Sequence, residues 1–130
     1  MKHTIFSYLS DNYSGYYSFD PPEGEPYGYD NLIWSHPDID KPSETELQKN
    51  VDQLNADEPY KQLREIRNQM LKRTDIYGLA DYPFKDDNHK TAWLTYRQQL
   101  RDLPSMSSPT LDSNHSLDPN SVKWPQEPES

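Results

Sequence analysis

Asp112, Asn114, Ser116 and Asp118 alternate along the chain in the spacing of the first four ligands of a calcium-binding loop. Such a loop also needs glycine at its sixth position, to turn sharply, and a bidentate glutamate at its twelfth. Here those positions hold Leu117 and Lys123, so the run reads as a polar turn. His36, Asp38 and Asp40 alternate in the same way, but in a short loop broken by Pro37 and Pro42, and His3, His89 and His115 have no ligand pattern around them. The chain has no cysteine, which removes disulfides, thiol catalysis and cysteine-held zinc. There is no G-x-S-x-G elbow, phosphate loop or dinucleotide fingerprint. Carboxylates are plentiful, yet nothing marks a dry pocket that would drive two of their pKa values apart. Asn12-Tyr-Ser and Asn114-His-Ser fit the glycosylation sequon but lack a secretory signal. The expectation is a protein that is not an enzyme, with no catalytic, cofactor-binding or metal-ligating residues and no cofactor.

What remains is binding, and composition shapes how. Leu, Ile, Val and Phe make up 22 of the 130 residues, below the share that normally sustains a core in a charged chain. Ten tyrosines and three tryptophans compensate in part, because each ring buries a large area. Twelve prolines and a mean hydropathy of -1.16 predict long irregular segments, ordered by a partner. Charge is uneven. Residues 1–60 carry three Lys/Arg against twelve Asp/Glu, residues 61–104 nine against six, and residues 105–130 one against four. A basic centre between acidic arms suits internal complementarity and solubility, or an acidic face offered to a protein. It does not suit nucleic acid, which needs concentrated positive charge. No stretch approaches the length of a membrane helix, and the N-terminus is too short and polar for a signal peptide. A cytosolic setting is the default.

The elements follow from spacing. The third helix, about 87–103, is the plainest: Trp93, Tyr96, Leu100 and Leu103 fall on one face, Asp86 or Asp87 caps its start, and Pro104 stops it. A second helix over about 59–73 opens on Asp57-Glu58-Pro59 and carries Leu63, Ile66 and Met70 on one face. A first, over about 44–55, opens with Ser43 and Glu46 as a capping box and carries Leu47, Val51 and Leu54. Residues 3–9 read as a short strand, and Leu32-Ile33-Trp34 as another strand or an extended anchor. The fold class is α+β, mainly helical: a helical hairpin core, an extended and partly β N-terminal arm, and an extended C-terminal tail. The organisation is an aromatic, acidic arm over 1–42, a helical module over 43–104 and a tail over 105–130. The expected core is Leu63, Ile66 and Met70 facing Trp93, Tyr96 and Leu100.

Three blocks carry a family likeness. Leu63-Arg-Glu-Ile-Arg-Asn-Gln-Met-Leu-Lys-Arg-Thr-Asp75, Ala92-Trp-Leu-Thr-Tyr-Arg-Gln-Gln-Leu-Arg-Asp-Leu-Pro104 and Val122-Lys-Trp-Pro125 resemble the motifs of the phage tail assembly chaperone family, with Leu79, Asp81 and Pro83 in register between the first two. Tyr29–Trp34 followed by Pro42–Leu47 is similar to a segment that precedes this domain in tail-fibre-associated proteins of marine phages, and Ser108–Asp112 fits the longer C-terminal versions. Residues 1–28 resemble nothing nameable. One position departs: the family's tryptophan after Thr74-Asp75 is Ile76 here. Where that ring is core in the family, Tyr77 or Tyr82 would take its place; where it meets a partner, the partner surface differs.

The resemblance implies a non-enzymatic protein that binds tail or tail-fibre polypeptides and assists tail or fibre assembly in the host cytoplasm. The alternative is a small structural component of the baseplate or fibre, retained in the virion. The expected partner is a tail, fibre or baseplate protein, with neither nucleic acid nor membrane, met in several copies on a symmetric virion part. The expected partner-binding residues are the rings of the arm, Tyr13, Tyr16, Tyr17, Phe19, Tyr27, Tyr29 and Trp34, with Trp124 and Pro125 in the C-terminal anchor. These rings are too many, and too broken by proline, for a small helical core to absorb.

Overall fold

The computed structural model describes residues 2–129. The class is mainly helical α+β, with three α-helices and one two-stranded sheet among the described residues: α1 Ile5–Tyr13, β1 Tyr17–Phe19, β2 Leu32–Trp34, α2 Glu44–Arg73 and α3 Asp87–Asp102, joined by short 3-10 turns. Two compact units divide the chain, Met1–Ala56 and Asp57–Ser130. The division therefore falls inside α2, and the tail beyond Pro104 belongs to the second unit.

In the first unit, residues 3–9 do not form the expected strand. Thr4 closes a capping box with Ser7, its hydroxyl accepting the Ser7 N–H, so two orphan amides at the helix start are satisfied locally. Ile5, Leu9 and Tyr13 then share a face, and Leu9 is fully buried. That face meets the start of α2 in antiparallel order. The Asn55 side chain bonds both the N–H and the C=O of His3, Asn50 Nδ2 donates to the Tyr8 hydroxyl at 3.2 Å, and Leu9 packs with Leu47. Gly15, at φ 89°, turns the chain from α1 into β1, a conformation that costs glycine little. β1 and β2 pair antiparallel, with Tyr17 opposite Trp34 and Phe19 opposite Leu32. Tyr17, Phe19, Tyr29 and Trp34 close over the Leu9–Leu32–Leu47 cluster. The arm thus has its own small core, built from rings in place of aliphatic side chains.

The expected break between two helices at residues 56–58 is absent. Ser43 caps α2, its hydroxyl accepting the Glu46 N–H at 3.1 Å, and the helix runs through Pro59 to Arg73. Proline in a helix interior loses one backbone bond and crowds the preceding turn. Here the helix carries that cost because packing anchors it on both sides: Leu47 and Val51 are buried before Pro59, Leu63 after it. Leu54, expected on the same stripe, is 37% exposed.

In the second unit α2 and α3 run antiparallel. Leu63 packs with Leu103, Arg67 Nη1 donates to the Arg101 carbonyl at 3.1 Å, and Arg97 reaches the Leu71 carbonyl. This register corrects the expected pairing. Leu63 does not face Trp93 and Tyr96; it joins Leu103 and Val122. Met70 and Leu71, one end further along, pack against Trp93, Tyr96 and Leu100, while Ile66 is half-buried between them. The reason is length: seven residues of α2 span about 10 Å, so one stripe serves both ends of α3.

Replacing Pro59 with alanine restores a backbone donor to a helix that is already continuous. Pro59→Ala is expected to stabilise the protein by roughly 1–3 kcal/mol, read as a higher thermal midpoint by circular dichroism; a lower midpoint would mean that the proline ring packs in a way the alanine cannot replace.

Candidate functional site

The residues that looked able to do metal chemistry are occupied in turns. The Asp112 carboxylate accepts the N–H groups of Asn114 and Ser116 at 2.8 and 3.1 Å, and Asp118 accepts that of Asn120 at 3.0 Å. His115 adopts φ 58° at the tip, and Leu111 bridges to Leu117 below it. The Gln62 amide fastens this hairpin to α2, donating to the His115 carbonyl and accepting from Leu117 N. His36 Nδ1 accepts the N–H groups of Asp38 and Ile39, each at 3.0 Å, and its ring lies 4.2 Å from that of Tyr16. Among the described residues no group of three His, Asp or Glu side chains is arranged to hold a metal ion.

The family-like motifs converge on the C-terminal end of α2. A helix ends with carbonyls that lack intrahelical partners. Arg97, reaching across from α3, supplies one: its Nη1 donates to the Leu71 carbonyl at 2.8 Å and to Thr74 Oγ1 at 2.9 Å. Its Nη2 meets Asp75 Oδ1 at 2.9 Å, with the Arg97 side chain only 13% exposed and Asp75 65%. Thr74 is itself buried, and its hydroxyl donates back to Met70 and Leu71. A planar fork of donors fits this array in a way a point charge does not. The Asp75–Gly78 turn then lays Tyr77 flat on Trp93, with ring centroids 3.7 Å apart and planes within 7°. Ile76, the position at which the family carries tryptophan, is 51% exposed. The inner ring here is Tyr77, and a larger side chain at 76 would stand on the surface.

The C-terminal segment closes the same layer. Val122 is buried on Leu63 and Leu103, with Trp124 half-buried beside it. Further along, Glu127 pairs with Arg73 at 3.2 Å, and the Glu129 carbonyl accepts from Trp93 Nε1 at 3.1 Å. His89 Nδ1 accepts the Lys85 N–H, and its Nε2 lies 3.1 Å from the Glu129 carbonyl and 3.2 Å from Trp93 Nε1. Burial, reinforced by Glu127, pushes the Tyr96 phenol above its ordinary value, against the pull of Arg73.

The expected binding residues separate into two groups. Tyr13, Tyr17, Phe19, Tyr29 and Trp34 pack on the core of the first unit. Tyr29 donates to the Pro42 carbonyl at 2.6 Å, and Trp34 Nε1 to that of Ile39 at 2.6 Å. Tyr16 and Tyr27 remain open, at 42% and 62% exposure, with Phe6 at 45%. Phe6, Phe19 and Tyr27 form a continuous row, with centroid spacings of 5.5 and 5.4 Å. In the second unit Trp124 and Pro125 line a cleft of about 630 Å³ with Leu103, Met106 and Gln99, where Met106 is 82% exposed. Of the residues expected in the core, Leu63, Trp93, Tyr96 and Leu100 are buried, and Ile66 and Met70 are half-buried. Sequence reasoning named Tyr77, with Tyr82, as a core substitute for the family's tryptophan, but assigned no structural role to Thr74, Arg97 or Gln62. A buried threonine at a helix end and an arginine one turn after Trp93 were the available signals, but a charged helix residue ordinarily reads as solvated.

The clamp and the phenol each give a measurable outcome. Arg97→Lys keeps the charge but loses the fork that joins the Leu71 carbonyl, the Thr74 hydroxyl and the Asp75 carboxylate, so it should cost roughly 1–3 kcal/mol in a denaturant melt. Gly78→Ala, whose added methyl would sit 3.6 Å from Arg97 Nε, should cost far less. For Tyr96 a raised phenol pKa means that the folded state holds the proton more tightly. Stability is complete below the unfolded value of about 10 and falls as pH rises through the folded value. Tyr96→Phe should show a smaller alkaline loss in pH-dependent melts than the parent chain.

No curated protein and no solved structure matches this chain. Among the described residues no helix is long and apolar enough to cross a membrane. Residues 60–129 match the family described as phage tail assembly chaperone protein. That span is more than half of the 130 residues and contains the Thr74–Arg97 clamp, the Tyr77–Trp93 stack and the closing C-terminal segment; the chain belongs to the phage tail assembly chaperone family.

Proposed function

We propose that this protein holds a tail or tail-fibre polypeptide during virion assembly, acting by non-covalent binding and without chemistry of its own. Membership of the family gives the role in tail assembly. The observation that carries the binding reading is where the open rings lie. Within residues 60–129 the motif side chains Thr74, Trp93, Tyr96 and Arg97 are engaged with one another or with the backbone. The exposed aromatic surface of Phe6, Tyr16 and Tyr27 belongs to the first unit, outside the matched span. Rings of this kind dominate interface energetics because they bury large area at small entropic cost. The second unit is therefore the family framework, and the first unit chooses the partner. Tyr13, Tyr17, Phe19, Tyr29 and Trp34 hold that surface in shape, while Trp124 and Pro125 offer a second contact beside Met106.

Co-expression with the tail, fibre and baseplate genes, followed by affinity capture, tests this. Tyr16→Ala with Tyr27→Ala should reduce capture of the bound tail polypeptide by at least about tenfold, the effect of roughly 1.4 kcal/mol, with unchanged helical circular dichroism. Undiminished capture would move the surface to the Met106–Trp124 cleft. Stoichiometric presence in purified virions would make the protein a structural component in place of an assembly factor.

A further inference from the structure

The two-stranded sheet of the first unit has one partly blocked edge and one open edge. The Ser35 N–H bonds the Tyr16 carbonyl and the Asp20 N–H bonds the Asn31 carbonyl, at either end of the ladder. Alternation along an antiparallel pair makes Ser18 and Ile33 the bonded couple between them, so Tyr17 and Phe19 direct their N–H and C=O groups away from β2. Among the described residues no hydrogen bond reaches those four groups. The opposite edge is different: Lys41 Nζ donates to the Leu32 carbonyl at 3.0 Å and lies 4.7 Å from the centre of the Tyr29 ring. A lysine on an edge strand is a common guard against unwanted pairing, and β1 has none.

Charge says what the open edge would accept. Residues 3–40 contain no Lys or Arg but hold Asp11, Asp20, Glu23, Glu25, Asp30, Asp38 and Asp40. Asp20 directly follows β1, and Glu23 and Glu25 stand in the exposed turn beyond it. The Phe6–Phe19–Tyr27 row flanks the strand's end, a surface on which aliphatic stems and cationic heads both pack well.

We infer that β1 takes a short extended segment rich in Lys or Arg from the partner polypeptide as a third strand. Backbone bonds to Tyr17 and Phe19 would fix its register, and the carboxylates of the turn would select its charge. This rests on the proposed function, because it names the chemistry of the partner at that same aromatic surface.

The test uses the full chain and three synthetic hexapeptides: one alternating lysine and valine, one alternating glutamate and valine, and the lysine peptide N-methylated at alternate amides so that it cannot pair. Titration followed by amide NMR should show binding of the lysine peptide, with the largest changes and new hydrogen-exchange protection at Tyr17 and Phe19. The glutamate and N-methylated peptides should bind at least about tenfold more weakly. Asp20→Asn with Glu23→Gln and Glu25→Gln should weaken the lysine peptide several-fold and flatten its salt dependence. Equal binding of the N-methylated peptide, or shifts confined to residues 57–129, would overturn strand addition. The proposed function fails separately: if Tyr16→Ala with Tyr27→Ala leaves capture of the tail polypeptide intact, that reading falls whatever the peptides do, and if capture is lost while the peptides do not bind β1, only the strand addition falls.

Discussion

The Arg97 guanidinium decides how the second unit is put together. A thirty-residue helix must end somewhere, and its last carbonyls must find donors away from bulk water. Thr74 provides two of them locally, and Arg97 adds a further donor to the Leu71 carbonyl from a neighbouring helix, so the contact at the end of α2 also holds α3 against it. Thr74 sits underneath, fully satisfied, with its hydroxyl both donating to the helix and accepting from the arginine. The Asp75–Gly78 turn that follows carries the Tyr77–Trp93 stack. No buried side-chain polar atom among the described residues lacks a partner, which is the condition for so polar a joint to stabilise the fold.

The first unit solves a different problem. It has three fully or nearly buried aliphatic side chains in its central cluster, Leu9, Leu32 and Leu47, too few for a core by themselves. Aromatic rings supply the missing area, packed edge to face, as where Tyr13 meets Trp34 at 4.9 Å. Phenol and indole groups also carry polar ends, and these close the loops by bonding the carbonyls of Pro42 and Ile39. A ring-built core is open at its margins. That openness is what leaves Phe6, Tyr16 and Tyr27 in contact with solvent.

Several features were legible in the sequence. The α3 stripe of Trp93, Tyr96 and Leu100 is a periodic signal over about two turns, and its Asp86 cap is local chemistry: the carboxylate accepts the His89 N–H at 2.8 Å. The family likeness over the last half of the chain was visible in residue order alone. The mainly helical class followed from the same periodicities.

Tertiary structure decided the rest, for reasons that local patterns do not contain. Residues 3–9 hold an apolar spacing compatible with either strand or helix, and it is the Leu9–Leu47 packing and the Asn55 side chain that select the helix. Pro59 is a helix breaker by local preference, yet burial of Leu47, Val51 and Leu63 on its two sides outweighs one lost backbone bond. Whether Leu63 meets Trp93 or Leu103 depends on the axial offset between two helices, which no single stripe records. Which rings are spent on the core and which stay open depends on neighbours distant in sequence. The sequence by itself determined the class of the fold and the family; only the folded chain determined which rings stay open, that Arg97 reaches the end of α2, that Tyr77 and not residue 76 faces inward, and that one edge of the small sheet is left unpaired.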